Sequence, residues 1–249
     1  KIDFDETFEV SKNDFHLDAK FAIKNSLIVR TYSGKTNDPD AVHISSNDKF
    51  VLPGTSVRGA LRSRALRIIN TLAGDKKMID DLFGYVSKDR DSGDIGSKHH
   101  LNTQKSKIVV EETNVENVVQ ERQYRIRIDR FTGGVSRNAL FDSKPLWPIS
   151  GEDEMVTIKL MIEDYDDWEV GLILLLLKDL WTGDLPIGGE KSIGRGVLRG
   201  ICANIQLPNK TYGIEQRNSR LEINGDKDEL ESFVQSFVRK CRERGEQIK

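Results

Sequence analysis

The glycine-rich segment 183–196 combines residue types that can approach and bind a phosphate backbone. Four glycines and two cations lie close together in it: Gly188, Gly189, Lys191, Gly194, Arg195 and Gly196. Glycine permits close backbone approach, so amides of this segment could contact an RNA backbone while the cations supply charge. The Gly189 to Gly194 spacing is similar to a nucleotide-hydrolase phosphate loop, but Arg195-Gly196 replaces the required Lys-Ser or Lys-Thr. An RNA-binding loop is therefore expected, and a loop whose glycines serve only its own conformation is the alternative.

A second candidate lies at the start of a predicted helix. A short apolar run ends at Pro53-Gly54, and the periodic apolar residues that follow predict a helix capped by Thr55 or Ser56. Arg58 and Arg62 lie one turn apart near the N-terminal end of this helix. Amides and cations at a helix start bind phosphates, whereas helix solubility would be the simpler explanation of both arginines.

A third candidate is the arginine-rich segment 122–137. Arg125 and Arg127 alternate with apolar residues, which predicts a strand over Tyr124–Arg130, followed at once by Gly133-Gly134. Arginine outnumbers lysine here, and its planar guanidinium group both pairs with phosphate and stacks on bases. The segment therefore has the composition of a nucleic-acid contact.

The total charge of −2 conceals separate basic and acidic segments. Residues 41–72 contain five basic side chains and one acidic one, and residues 101–150 contain eight basic and six acidic side chains. Residues 151–169 contain eight acidic side chains and one basic one. The acidic segment masks the basic ones in the sum, so local patches could still bind phosphates.

Composition also excludes several classes of protein. Two cysteines are too few for a disulfide scaffold or a four-cysteine zinc site. The longest apolar run, residues 172–177, is too short to span a bilayer. With no apolar signal segment at the start, we expect a cytoplasmic protein with no membrane partner.

Periodicity predicts mixed strands and helices, and hence an α+β fold. Strands are expected over residues 15–29, 50–52, 107–112, 124–130, 155–162 and 197–207, and helices from residue 55 or 56, over 168–181 and over roughly 228–242. Polar residues 31–40 and most of 75–107 are expected to be loops. The central order of strand, helix, strand, strand, helix, strand predicts a ferredoxin-like or RRM-like core, to which a hairpin and the glycine-rich loop are added.

Three of these segments resemble motifs of the RAMP superfamily, the repeat-associated proteins of CRISPR effector complexes. Residues Pro53–Arg62 are similar to its PG[ST]S[ILV][RK]G element, and Gly188–Gly196 resembles its glycine-rich signature. Residues Ile128–Gly134 resemble a segment of the backbone subunits of type III effectors. The three occur in the expected order, and the first two together form a specific pair.

The resemblance implies a single RAMP domain over residues 1–249 that polymerises along a CRISPR guide RNA. Its partners would be the guide, target RNA, and other effector subunits or copies of itself. A thumb hairpin that interrupts the guide–target duplex is expected at roughly 108–141, because an aromatic finger can wedge between bases while arginines hold the phosphates. The expected RNA-binding residues are Ser56, Arg58, Arg62, Arg125, Arg127, Arg130, Phe131, Lys191 and Arg195.

The resemblance also implies a catalytic aspartate in the loop after the first strand. Asp40 matches best by its place before Val42 and the Pro53 element, and Asp38 is the second choice. The carboxylate of Asp40 could bind Mg²⁺ or Mn²⁺, which would stabilise the charge that forms as an RNA 2′-hydroxyl attacks the phosphate. Alternatively, Asp38-Pro39-Asp40 is only a turn, and the subunit is structural and non-catalytic.

Histidine offers a third hypothesis, the processing of CRISPR RNA precursors by general acid–base catalysis. His16 is expected on the polar face of the first strand, and His43 lies near Asp40 and could contact RNA. His99-His100 fall in the polar segment, where no Cys/His spacing supports a zinc site.

Overall fold

The structure is a computed structural model and describes residues 13–32, 38–87, 102–151, 155–217 and 220–246. In chain order the strands of this part are β1 (Phe15–Ile23), β2 (Arg30–Thr31), β3 (Ala41–His43), β4 (Ser45–Ser46), β5 (Lys49–Leu52), β6 (Tyr85–Ser87), β7 (Asn102–Gln104), β8 (Ile108–Val110), β9 (Thr113–Asn114), β10 (Val118–Gln120), β11 (Gln123–Ile128), β12 (Val135–Lys144), β13 (Leu146–Pro148), β14 (Val156–Ile162), β15 (Leu198–Leu207), β16 (Lys210–Arg217) and β17 (Arg220–Asn224). Its α-helices are α1 (Gly54–Thr71), α2 (Lys77–Phe83), α3 (Asp167–Thr182) and α4 (Lys227–Glu246). The predicted α+β class is confirmed.

A six-stranded antiparallel sheet in the order β17-β16-β15-β1-β14-β8 organises the molecule. Its central strand β1 alternates buried and exposed residues, as the sequence predicts. Phe15, Leu17 and Phe21 point into the core that α1 and α3 share. Along the chain, α1 lies between β1 and β8, and α3 lies between β14 and β15.

Helix α3 is apolar nearly all round because it is covered on two sides. One side packs on the sheet, and the other packs on α4, whose Leu230, Phe233 and Phe237 are buried. The two helices approach so closely at Gly171 that a Cβ there would collide with the Phe233 carbonyl. The prediction of a buried helix over 168–181 is confirmed. The predicted stripe of 228–242 is also helical, in a helix that extends over Lys227–Glu246.

A four-stranded sheet in the order β11-β12-β3-β2 stands beside the main one. Strands β11 and β12 form an antiparallel hairpin, β12 pairs in parallel with β3, and β3 pairs antiparallel with β2. We use "the hairpin" for β11, β12 and their connection. Of the expected thumb region 108–141, residues 108–110 form β8 of the main sheet, and the hairpin itself begins at Gln123.

Several boundary predictions are wrong. Strand β1 ends at Ile23, and Leu27 forms only an isolated bridge to Leu146. Pro53 is the N-cap residue of α1, so neither Thr55 nor Ser56 caps it, and its N-cap makes no side-chain hydrogen bond.

Residues 75–107 are not mostly loop in their described part. They include α2, whose four apolar residues Met78, Ile79, Leu82 and Phe83 are buried. The surrounding charged residues conceal this short apolar face, because two turns are too few to establish a clear period. Residues 88–101, which include His99-His100, lie outside the described residues. In the described ranges, no helix combines the length and apolar character that a bilayer crossing needs.

Candidate nucleic-acid interface

A groove of about 430 Å³ opens between α1 and the glycine-rich loop, which we define as residues 183–196. Its walls consist of small residues of α1, glycines of the loop, and polar or cationic side chains: Val29, Arg30, Tyr32, Ser56, Gly59, Ala60, Ser63, Gly188, Gly189 and Lys191. We call this feature the groove. It unites two of the three segments that the sequence singles out.

Helix α1 presents its smallest residues to the groove because its large ones are in the core. Val57 and Leu61 are buried, and Ser56 and Ser63 lie on the adjoining face. A Cβ at Gly59 would meet no atom within 4 Å, so packing in the protein does not require glycine there. Glycine inside a helix costs about 1 kcal/mol relative to alanine. The vacant position leaves room for a ligand to approach the helix backbone.

The glycine-rich loop is tied to the segment that follows β1. The amide of Gly189 donates to the Ile28 carbonyl at 2.7 Å, and the amide of Gly196 donates to the Ser26 carbonyl at 2.7 Å. Gly188 has φ +85°, and a Cβ there would collide with the same Ile28 carbonyl. Glycine is therefore needed at this position for the loop's own conformation, whatever it binds.

Two of the predicted RNA-binding arginines are turned toward the protein. Arg195 is 2% exposed, and its guanidinium forms an ion pair with Glu190 at 3.1 Å and donates a hydrogen bond to Gln123 of β11. Arg125 of β11 also donates to Glu190, and to the Ser143 hydroxyl of β12 at 3.0 Å. Burial lowers the pKa of Arg195. These side chains join the glycine-rich loop to the base of the hairpin.

Arg58 and Arg62 lie on the side of α1 that faces α2, whereas Ser56 and Lys191 line the groove. The Arg58 guanidinium donates to the carbonyl of Phe83. The Arg62 guanidinium pairs with Asp80 at 3.1 Å in a half-exposed ion pair. A pair of this kind is weak in water, so Arg62 can exchange its partner at little cost.

The hairpin projects exposed apolar and cationic side chains. Phe131 at its tip is 99% exposed. The tip is shaped locally, because the Asp129 carboxylate accepts hydrogen bonds from the amides of Phe131 and Thr132. The amides of Thr132 and Phe131 together lower the pKa of Asp129. Arg127 and Arg130 are exposed beside it.

One face of the hairpin is an exposed apolar surface. Ile126 pairs with Leu140 and Ile128 pairs with Val135 across the two strands. The five residues of this face are all exposed: Tyr124, Ile126, Ile128, Val135 and Leu140. The other face holds the Arg125 guanidinium over the Phe141 ring, 5.3 Å from the ring centroid. A two-stranded ribbon with one uncovered apolar face is suited to insertion against another surface.

Asp40 lies at the base of the hairpin, where β3 pairs with β12. Its amide donates to the Asp142 carboxylate at 2.9 Å, and the Asp142 amide donates back to the Asp40 carboxylate at 3.2 Å. Asp142 also accepts a hydrogen bond from Arg122 at 2.6 Å. The Asp40 amide is the main cause of a lowered pKa of Asp142, and Arg122 adds to it. Asp38 is exposed nearby.

The described residues fit a divalent cation only if RNA and water supply most of its ligands. They contain no cluster of three or more His, Cys, Asp or Glu side chains that could hold a metal ion. Asp142 is already paired with Arg122, which leaves the exposed Asp40 carboxylate as the candidate ligand. Mg²⁺ commonly binds through one or two carboxylates together with phosphates and waters. Asp40 suits that mode and does not suit a closed protein cage.

His43 is buried and structural. Its Nδ1 accepts the Val29 amide at 3.1 Å, so its Nε2 carries the proton and donates to the Val51 carbonyl at 2.9 Å. Burial lowers the pKa of His43 and keeps the ring neutral. The expectation that His43 contacts RNA is therefore wrong. His16 is exposed on the sheet, as predicted.

The open face of the main sheet offers no stacking platform. Across β1, β14 and β15 it carries His16, Asp18, Lys159, Asn204 and Gln206. RRM domains stack bases on aromatic residues of their sheet. The imidazole of His16 is the one aromatic ring among these positions, and no phenylalanine, tyrosine or tryptophan accompanies it there, so the groove and the hairpin are the better candidates.

Sequence reasoning missed Arg30, Tyr32, Gln123, Asp142 and Glu190. Arg30 and Tyr32 line the groove, and Tyr32 is 87% exposed. Their only signal in the sequence was proximity to the candidate aspartate loop. Glu190 had no signal, because an acid beside two cations looks like ordinary surface composition.

The family model of the RAMP superfamily matches residues 21–199. The chain belongs to the RAMP superfamily. The match covers the groove, the hairpin and Asp40, and ends within β15, before β16, β17 and α4. Membership makes this RAMP protein a CRISPR-associated RNA-binding protein. No curated protein matches it closely enough to add a more specific role.

Proposed function

We propose that this RAMP protein binds CRISPR guide RNA as a repeating backbone subunit of a type III effector. We further propose that it cleaves complementary target RNA at regular intervals, with Asp40 as the catalytic residue and Mg²⁺ or Mn²⁺ as the cofactor. The observation that carries the proposal is the groove, which brings the Pro53 element and the glycine-rich loop face to face.

The proposed core is ferredoxin-like. Strands β15, β1, β14 and β8 lie side by side in that order, and α1 and α3 connect them as in a split β-α-β arrangement. This arrangement supports the proposal because it places the start of α1 and the loop before β15 beside each other. Both sides of the groove then come from connections of one core.

The groove suits the backbone of a single RNA strand. Lys191 and Arg30 supply positive charge on the side opposite α1, and Ser56 and Ser63 supply hydroxyl donors. Small side chains allow phosphates to approach the helix backbone, and exposed Tyr32 can stack on a base at the rim. Nothing in this contact depends on base identity, as a guide of variable sequence requires.

The hairpin suits the interruption of a duplex. Phe131 projects from the tip into solvent and can enter a base step, while Arg127 and Arg130 can hold the phosphates on either side. Strand β12 links this hairpin to β3, at whose start Asp40 lies. The candidate catalytic carboxylate therefore lies at the base of the hairpin, and the interruption of the duplex that we propose for Phe131 would occur at the opposite end of the ribbon.

Asp142 and Arg122 position Asp40 in the proposed reaction. The reciprocal hydrogen bonds between Asp40 and Asp142 hold the backbone of Asp40, and the Asp40 amide together with Arg122 lowers the pKa of Asp142. Asp40 is exposed, and an oxygen of its carboxylate would be a ligand of the divalent cation, which would also bind the RNA phosphate. When bound, the divalent cation would stabilise the charge that develops on the phosphorus oxygens.

The test uses the assembled complex with guide and complementary target RNA, with and without Mg²⁺. The expected result is a set of regularly spaced cuts that Asp40→Asn abolishes and that Asp38→Asn, the matched control, retains. Absence of cuts by the wild type would contradict catalysis, and cuts that Asp40→Asn retains but Asp38→Asn abolishes would move the catalytic role to Asp38. Guide RNA that does not bind to the wild type would contradict the whole proposal.

A second candidate is a non-catalytic subunit that binds guide RNA in the same way. The pairing of Asp142 with Arg122 favours it, since that ion pair engages the carboxylate that contacts the Asp40 backbone, and the described part of the chain has no cluster of three or more ligating side chains. Guide binding without target cleavage would support this candidate. Cleavage of precursor RNA alone, insensitive to a chelator, would instead indicate a processing enzyme, although buried His43 cannot serve it.

A further inference from the structure

We infer that Glu190 is a positioning residue that couples occupancy of the groove to the orientation of the hairpin. The inference rests on the proposed function, because it takes RNA as the occupant of the groove. Glu190 and Lys191 are neighbours in the glycine-rich loop but point to different places. Lys191 lines the groove, whereas the Glu190 carboxylate faces the hairpin base.

On the hairpin side, Glu190 is the centre of a charge cluster in which Arg195 is buried and Glu190 and Arg125 are half-buried. Its Oε2 accepts a hydrogen bond from Arg125 and forms an ion pair with Nε of Arg195 at 3.1 Å. Arg125 continues to Ser143, and Arg195 continues to Gln123. Gln123 and Ser143 are cross-strand partners at the base of the hairpin. The cluster therefore holds both hairpin strands at one point.

On the groove side, the backbone of Glu190 is held in a defined conformation. It has φ +56°, in the left-handed region that a residue with a side chain rarely adopts. The Ile193 amide donates to the Glu190 carbonyl at 3.2 Å and closes a 3₁₀ turn over Lys191–Ile193. Because this turn is compact, a phosphate that pulls Lys191 also moves Glu190.

The charge balance of the cluster makes it sensitive to that movement. Two guanidinium groups share one carboxylate, and the side chains of Arg195 and Glu190 are 3% and 14% exposed. Nε of Arg125 and Nη1 of Arg195 are buried, and no residue of the described part of the chain accepts their hydrogen bonds. If Glu190 withdrew, both cations would lose their compensating charge in a poorly hydrated site. The hairpin base must therefore follow Glu190 rather than separate from it.

Hydrogen–deuterium exchange with and without saturating oligouridylate RNA tests the coupling on the purified protein. In the wild type, RNA should slow exchange in the glycine-rich loop and also in residues 123–128 and 135–144. In Glu190→Gln, RNA should still slow exchange in the loop but should no longer affect the hairpin base. Glu215→Gln, in an exposed ion pair of β16, should behave like the wild type. A purely structural role would change basal exchange and leave the RNA-dependent difference intact.

Arg125→Gln provides a second variant in case Glu190→Gln does not fold. It breaks the link from the hairpin side and retains the Glu190–Arg195 pair. The double variant Glu190→Gln/Arg125→Gln keeps the wild-type net charge and should fold while remaining uncoupled. RNA-dependent slowing at the hairpin base in these variants equal to that in the wild type would overturn the inference. RNA that binds the wild type without affecting the hairpin base would overturn the inference alone, and failure of RNA to bind would overturn the proposed function as well.

Discussion

Arg195 in the glycine-rich loop and Arg130 near the hairpin tip both stand close to glycine, but their surroundings differ. Arg195 is 2% exposed and bonded to Glu190 and Gln123. Arg130 is exposed at the end of a projecting ribbon. The glycine-rich loop is thus held by side chains that also stabilise the fold, whereas the hairpin tip is built from local contacts and can be altered independently. Stability and RNA binding should respond differently to substitutions in the two regions.

The largest expected effect is that of Arg195→Ala. Removing this cation leaves Glu190 with one partner and Gln123 without its donor in a buried site. We expect the free energy of unfolding to fall by about 3 kcal/mol, as for other buried pairs that lose one member. Urea denaturation followed by circular dichroism measures this change. Arg130→Ala is the matched control and should change stability by less than about 0.5 kcal/mol; equal losses in both variants would remove the distinction between the regions.

As the pH falls, the stability that depends on His43, on the groove side, should be lost at a higher pH than the stability that depends on Asp129 at the hairpin tip. The pKa of buried His43 is lowered below 6.5 in the folded protein, so the unfolded chain binds a proton more readily. Stability from the neutral ring is complete above pH 6.5 and decreases below it, by up to about 1.4 kcal/mol per pH unit. The lowered pKa of Asp129 has the same sign, but its contribution begins to fall only near pH 3.8.

Denaturation midpoints measured at several pH values between 7.5 and 5 report the loss of stability that we attribute to His43. His43→Asn should lower stability at neutral pH and flatten the pH dependence, while His16→Gln, on the exposed strand face, should leave the slope unchanged. A slope that persists in His43→Asn would show that other groups cause it.

Alanine substitutions at two helix glycines, Gly59 and Gly171, distinguish an effect on RNA binding from an effect on core packing. Gly59→Ala should stabilise the protein by about 0.5–1 kcal/mol, because alanine favours the helix and its Cβ meets no protein atom. The same methyl group projects into the groove and should weaken RNA binding. Gly171→Ala is the control within a helix and should destabilise, since its Cβ collides with Phe233.

Thermal melting measures the stability of each variant, and fluorescence anisotropy with labelled single-stranded RNA measures its affinity for RNA. A Gly59→Ala protein that is more stable and binds RNA as tightly as the wild type would contradict the assignment of the groove.

The smallest effect on stability is expected at the hairpin tip. Phe131→Ala should change the free energy of unfolding by less than about 0.5 kcal/mol, because the ring is 99% exposed. Loss of base stacking should nevertheless weaken RNA binding by about 1–3 kcal/mol. Val119→Ala, an exposed apolar residue outside the hairpin, should alter neither quantity. A destabilised Phe131→Ala protein would mean that the tip packs against the fold.

The elements that were predictable from sequence are those with long, regular apolar patterns. Strand β1 alternates over nine residues, and α4 repeats its apolar stripe over several turns. Helix α2 and the paired strands β16 and β17 were not predicted. Helix α2 is too short for a reliable period, and β17 lies at the sheet edge with mostly exposed residues. Their structure depends on what they pack against rather than on their own pattern.

The residues of the candidate site also differ in whether the sequence alone could locate them. Ser56 and Lys191 could be located from local motifs, because glycine, small residues and cations adjacent in sequence remain adjacent in space. Glu190 and Arg125 are 65 positions apart, and no local pattern indicates that they meet. Arg30 and Tyr32 likewise join the groove because the segment before β2 bonds to the distant glycine-rich loop, where the Gly189 amide donates to the Ile28 carbonyl.

The sequence by itself determined the α+β class, the family motifs and the presence of basic segments within a chain of near-zero total charge. These properties follow from residue type and short-range spacing. Only the tertiary structure decided which cations face the groove and which are buried, because burial depends on elements far apart in the chain. In sequence, Arg58, Arg125 and Arg195 look like Arg127 and Arg130. The fold separates them: the first three donate hydrogen bonds to other parts of the protein, and the last two are exposed.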